Sequence, residues 1–171
     1  MKFLKFSLCT SFYTFSILMQ IGCDGFEKSK SNSSVKNDLT KQLFVNIIDF
    51  NNKFICADEA KSDTLFANRT QASAWEKFTF IYLDSNVVAL KSIKNKYIST
   101  DSASGYFLLA NKNTIEESSK FEILKLENED FAFKTIFGTY LCSDQDIYGK
   151  LIANRHAIGK WEKFKIIKIL E

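Results

Sequence analysis

From residue 42 onward, apolar and polar residues alternate in short runs. Val45 and Ile47 stand two apart in the first run of each set, and so do Val88 and Leu90, and Phe131 and Phe133. The same alternation marks Phe78 and Phe80, Phe121 and Ile123, and Phe164 and Ile166. Between these runs lie two further apolar segments. One centres on Ile55, Ile98 and Leu141, the other on Leu65-Ala67, Leu108-Ala110 and Leu151-Ala153. A period of two, broken by Asn, Asp, Ser and Gly, predicts β-strands joined by tight turns. Asn51-Asn52, Lys94-Asn95 and Phe137-Gly138 supply the first turn of each set, where Asn and Gly accept a left-handed backbone.

The runs recur at a fixed interval of 43 residues. Phe54-Ile55-Cys56-Ala57-Asp58 returns as Tyr97-Ile98-Ser99-Thr100-Asp101 and as Tyr140-Leu141-Cys142-Ser143-Asp144. Asp58, Leu65, Ala67, Asn68, Lys77 and Phe78 are identical in all three copies, and no gap is needed. The copies are 42–84, 85–127 and 128–170. Four strands in each make twelve, and an all-β fold follows. Three four-stranded units predict a β-trefoil: six strands close a barrel and six form hairpins over one end. Closure removes the exposed edges that separate units would present. A propeller would need at least four such units.

The repeat also carries a resemblance. Gly138-Thr139-Tyr140-Leu141, Leu151-Ile152-Ala153-Asn154-Arg155 and Trp161-Glu162-Lys163-Phe164 resemble the fascin-like (actin-cross-linking-like) β-trefoils over residues 42–170. Copies one and three carry the likeness; copy two is degenerate. The resemblance implies a binding scaffold. Some members bundle actin, and bacterial members accompany secreted carbohydrate-active enzymes.

The first 41 residues have a different pattern. Met1–Lys5 holds two lysines, and Phe6–Gly22 is a 17-residue apolar stretch interrupted by Ser and Thr. That is short for a membrane span and fits a secretory signal at 1–22. Gln20-Ile21-Gly22-Cys23 resembles a bacterial lipoprotein signal, with Gln20 where Leu is usual; Cys23 is the expected lipidation site. Ordinary cleavage near Gly22 and a soluble secreted product is the alternative. Residues 23–41 are polar and without periodicity, a flexible tether before the domain at 42–171.

Charge and composition narrow the function. The net charge of +3 falls to +1 once Lys2 and Lys5 leave with the signal, which is no footprint for nucleic acid. A single histidine excludes multi-His metal centres, and no motif calls for a cofactor or a catalytic centre. The expected role is therefore non-enzymatic: an anchored module, expected to be a monomer, that binds a glycan. The alternative is binding an extracellular protein, as an enzyme inhibitor or a host-protein or actin binder.

Candidate ligand residues come from the repeated positions. Trp75 and Trp161 either cover the barrel end at the start of the fourth strand or stack on a sugar. Asn68 and Asn154 either hydrogen-bond their own turns or recognise hydroxyls. Asp58 and Asp144 either cap turns or bind ligand. Arg69 and Arg155 either form an ion-paired face or hold an anion. His156 is added by position. Cys56 and Cys142, in different copies and turned away from the barrel, are expected to be free thiols.

Overall fold

The computed structural model describes residues 41–100 and 102–170. The signal segment, Cys23, nearly all of the tether, and Asp101 lie outside the described residues.

Twelve strands are present among the described residues. Lobe 1 holds β1 (Gln42–Asp49), β2 (Phe54–Asp58), β3 (Thr64–Arg69) and β4 (Phe78–Tyr82). Lobe 2 holds β5 (Val87–Ser92), β6 (Tyr97–Ser99), β7 (Leu109–Lys112) and β8 (Phe121–Lys125). Lobe 3 holds β9 (Phe131–Thr135), β10 (Tyr140–Asp144), β11 (Lys150–Arg155) and β12 (Phe164–Lys168).

The pairing closes a six-stranded antiparallel barrel. β1 pairs with β4, β4 with β5, β5 with β8, β8 with β9, β9 with β12, and β12 returns to β1. The other six strands form hairpins β2–β3, β6–β7 and β10–β11. Each hairpin meets its barrel strand through one pair, Ile48 with Phe54, Lys91 with Tyr97, and Lys134 with Tyr140. Those three pairs are spaced by the sequence repeat, so the fold is a β-trefoil.

The first turns show why the repeat uses Asn and Gly. Asn52, Asn95 and Gly138 have φ of 58°, 61° and 79°. Their amides donate to Asp49, Ser92 and Thr135 carbonyls at 3.0 Å.

The three hairpins are stitched to one another around the pseudo-threefold axis. Ala67 N–H donates to the Gly149 carbonyl at 2.7 Å, Ala110 to Asp63 at 2.9 Å, and Ala153 to Tyr106 at 2.8 Å. The core repeats in the same way. Ile55, Ile98 and Leu141 lie inside with Leu65, Leu108 and Leu151, beneath Phe78, Phe121 and Phe164. Each of those phenylalanines is at most 1% exposed. Burial of one such ring contributes roughly 1.5–3 kcal/mol.

Candidate functional site

The site is built where the β2–β3 hairpin meets the segment before β4. Asp58 ends β2 and caps a short 3₁₀ turn, Glu59–Lys61, with Oδ1 accepting from Ala60 N–H at 3.1 Å. Arg69 ends β3 and reaches back across the hairpin. Its guanidinium lies 3.6 Å from Asp58 and 3.9 Å from Glu76. Glu76 is 2% exposed, and the Ser73 amide and hydroxyl both donate to it, at 2.8 and 2.6 Å. A buried carboxylate is costly unless such partners are present. With them, Glu76 fixes the 3₁₀ turn Ala74–Glu76 and aims Trp75 outward.

Trp75 therefore does not cover the barrel end. It precedes β4 rather than opening it, and it is 40% exposed. With Cys56, Ala57, Asp58, Glu59, Ala60 and Arg69 it lines an open cleft of about 240 Å³. Lys94, from the first turn of lobe 2, lies 5.2 Å over the Trp75 ring and pairs with Glu59.

Lobe 3 repeats the arrangement in a tighter form. Asp144 caps the turn Gln145–Ile147, and Arg155 donates to Asp144 at 2.9 Å. Glu162 holds its loop through the Gly159 amide at 2.7 Å and lies 3.9 Å from Arg155. Trp161 is only half-exposed, with the Arg155 guanidinium 5.8 Å from its ring. His156 is exposed on the bend after β11. Lobe 2 has Lys112 and Ser118 at the Arg and Trp positions, and Lys112 pairs with Glu116.

The asparagines do not form turns. Asn68, Asn111 and Asn154 stand within β3, β7 and β11. Asn111 Oδ1 accepts from Ser99 at 2.8 Å, and Asn68 Oδ1 accepts from the Cys56 thiol at 3.7 Å. Asn154 Oδ1 has no hydrogen-bond partner among the described residues. Asn68 and Asn111 thus brace their own hairpins.

Cys56 and Cys142 are buried free thiols. Burial raises both thiols, and the neighbouring Arg69 and Arg155 only partly offset it; Cys142 is pushed up to about 11. Neither is a nucleophile near neutral pH, because the thiolate is the reactive form. Among the described residues, no group of three or more His, Cys, Asp or Glu is placed to hold a metal.

Asp58, Arg69 and Trp75 thus converge in lobe 1, and Asp144, Arg155 and Trp161 in lobe 3; His156 stands apart. Sequence reasoning missed Glu76, Glu162 and Lys94. The first two had a signal in the Trp-Glu pair shared by copies one and three. Lys94 had none, because it reaches the cleft from another lobe.

Solved structures share this fold. The designed three-fold symmetric protein ThreeFoil aligns at 9% identity with TM-score 0.65, over 74% of this chain and 99% of its own. SeviL, solved with the asialo-GM1 saccharide, aligns at 10% identity and 0.63, over 76% and 100%. The Polyporus squamosus lectin, solved with a sialylated epitope, aligns at 12% identity and 0.65, over 74% and 49%. No curated protein matches the chain. A family model matches residues 37–131, from just before β1 to the start of β9. The chain belongs to that family, described as a domain of unknown function (DUF7910).

Proposed function

We propose that the protein is a non-enzymatic, exported, fascin-like β-trefoil that binds glycan through the lobe 1 cleft and is lipid-anchored at Cys23. The observation that carries the binding reading is the exposed Trp75 ring beside Asp58 and Arg69. An indole face covers the apolar C–H face of a sugar ring, while a carboxylate and a guanidinium accept from and donate to its hydroxyls. Two proteins of similar fold, SeviL and the Polyporus squamosus lectin, are described in complex with saccharides, which supports the reading. The cleft is open and smaller than the usual ligand pocket, so it suits one sugar unit held weakly. A second weak site at lobe 3 would add avidity.

The test is a glycan array probed with the purified chain, followed by titration of the best ligand. Trp75→Ala should weaken binding at least tenfold, about 1.4 kcal/mol, while leaving the thermal unfolding midpoint near that of the parent. A silent array, or unchanged affinity in Trp75→Ala, would overturn the proposal.

One observation favours a protein partner as the second reading. Tyr106 and Phe137 stack edge-on at 6.3 Å while 38% and 49% exposed, next to Ile136 at 51%. An exposed apolar cluster of this kind suits a protein contact. A silent array would transfer the proposal to that face.

A further inference from the structure

A second charged cleft lies on the barrel wall between lobes 3 and 1, away from Trp75. Its volume is about 280 Å³. Lys160 and Lys163 come from the segment leading into β12, Lys165 from β12 itself, and Phe50 from the first turn of lobe 1. Lys160 Nζ lies 5.6 Å from the centre of the Phe50 ring. Among the described residues, none of the three lysines is in an ion pair. Two acids also line the cleft. Asp49 is already committed: it is 2% exposed, and its carboxylate accepts from the amides of Asn51 and Lys53, the Ser143 hydroxyl and the Gln145 amide. Asp130 is the second acid, so the cleft carries three cations against two carboxylates, one of them buried.

The pseudo-symmetry provides an internal comparison. The related cleft between lobes 2 and 3 carries Glu117, Lys120 and Glu122 at the three lysine positions. There Lys120 pairs with Glu117, and Asn86 donates to Glu122 at 3.2 Å. The third set of positions, between lobes 1 and 2, holds Ala74, Lys77 and Thr79. There Lys77 Nζ lies 4.0 Å from the centre of the Phe44 ring. One fold element thus occurs three times, and only the copy between lobes 3 and 1 gathers three unpaired cations. The fold does not require them, since its other two copies do without.

We propose that this cleft is a separate site for an acidic polysaccharide bearing sulfate or carboxylate groups. The lysines supply point charges that tolerate varied spacing of the anions. The Phe50 ring gives an apolar wall for a sugar face. The surface is concave and local, which fits a chain segment better than a flat lipid layer. Three cations against two carboxylates fall short of the extended basic face that nucleic acid requires.

The test is titration of the purified full chain with a sulfated heparin octasaccharide at several salt concentrations. Binding should weaken steeply with salt, and each Lys→Gln change at 160, 163 or 165 should reduce the log–log salt slope by roughly one. The triple variant should lose at least about tenfold in affinity at 0.1 M salt, where charges about 10 Å apart still interact. Its circular dichroism and unfolding midpoint should match the parent, because these side chains are at least partly in water. Lys120→Gln in the related cleft, and Trp75→Ala in the lobe 1 cleft, should leave this binding unchanged. Loss in Trp75→Ala would place the sulfated ligand in the other cleft and overturn the proposal. So would equal binding by the triple variant, no binding by the parent, or binding to phosphatidylserine vesicles without binding to the octasaccharide.

Discussion

Position 56/99/142 shows how one atom changes what a residue does. Lobe 2 places Ser99 there, and its hydroxyl satisfies Asn111 at 2.8 Å. Lobes 1 and 3 place thiols instead, leaving a longer contact to Asn68 and none to Asn154 Oδ1. A buried thiol resists ionisation, and Cys142 is pushed up to about 11. The unfolded chain ionises the same group near pH 8.5–9. Because the folded value is raised, the stabilisation is complete below about pH 9 and is lost as pH rises toward 11. Over that window Cys142 should remove about 2–3 kcal/mol of unfolding free energy. Urea titrations at pH 8 and 10.5 check this. Cys142→Ser should reduce the difference between them, leaving the part due to Cys56, and supply Asn154 with the donor that Asn111 already has. An identical loss in the variant would assign the alkaline instability to other groups. Both thiols were legible as unpaired from sequence, since equivalent positions on separate lobes cannot approach to bonding distance. Their depth was not legible, because it depends on what the neighbouring strand lays over them.

The hairpins and turns divide into those the pattern announces and those it does not. Alternation and the 43-residue interval locate all twelve strands, because a strand's two faces and a lobe's neighbours impose both periods. The 3₁₀ turns before β4 and β8 are not announced. They arise from loop closure against buried Glu76 in lobe 1, so Trp75 was expected at a strand start and is found on a projecting turn. The hairpin tips hold a further constraint that only packing discloses. Asp63, Tyr106 and Gly149 are equivalent, with φ of 57°, 64° and 74°, so left-handed backbone is common to all three. At Gly149 the chain also comes closer to its neighbour. A β-carbon there would lie 2.5 Å from the Ala67 carbonyl oxygen. Gly149→Ala should therefore cost about 1–3 kcal/mol, from forced separation of β11 and β3. Chemical denaturation measures it, and an unchanged midpoint would show that the hairpins move apart freely.

The trefoil repeats its frame and diversifies its surface. Core positions are nearly interchangeable among the lobes, whereas the cleft by Trp75 and the lysine cleft each occur in open or charged form in one setting. A repeat in sequence therefore shows where the scaffold lies, and departures from the repeat mark where the lobes acquire separate roles. Copy two's loss of Trp and Arg was visible as such a departure. The lysine cleft was not, because its two halves stand about 110 residues apart in the chain and meet only when β12 pairs with β1. That pairing has a mechanical consequence. Val45 faces Lys168 at one end of the ladder and Asp49 faces Phe164 at the other, so residues 41 and 170 lie toward the same end of that ladder. Force applied at residues 41 and 170 falls on one rung at a time, and the barrel should open as a zipper at low load. Handles at residues 41 and 163 would pull the same rungs together, in shear. Optical-tweezer traces should show a higher rupture force for the second geometry; equal forces would mean that the barrel yields elsewhere first.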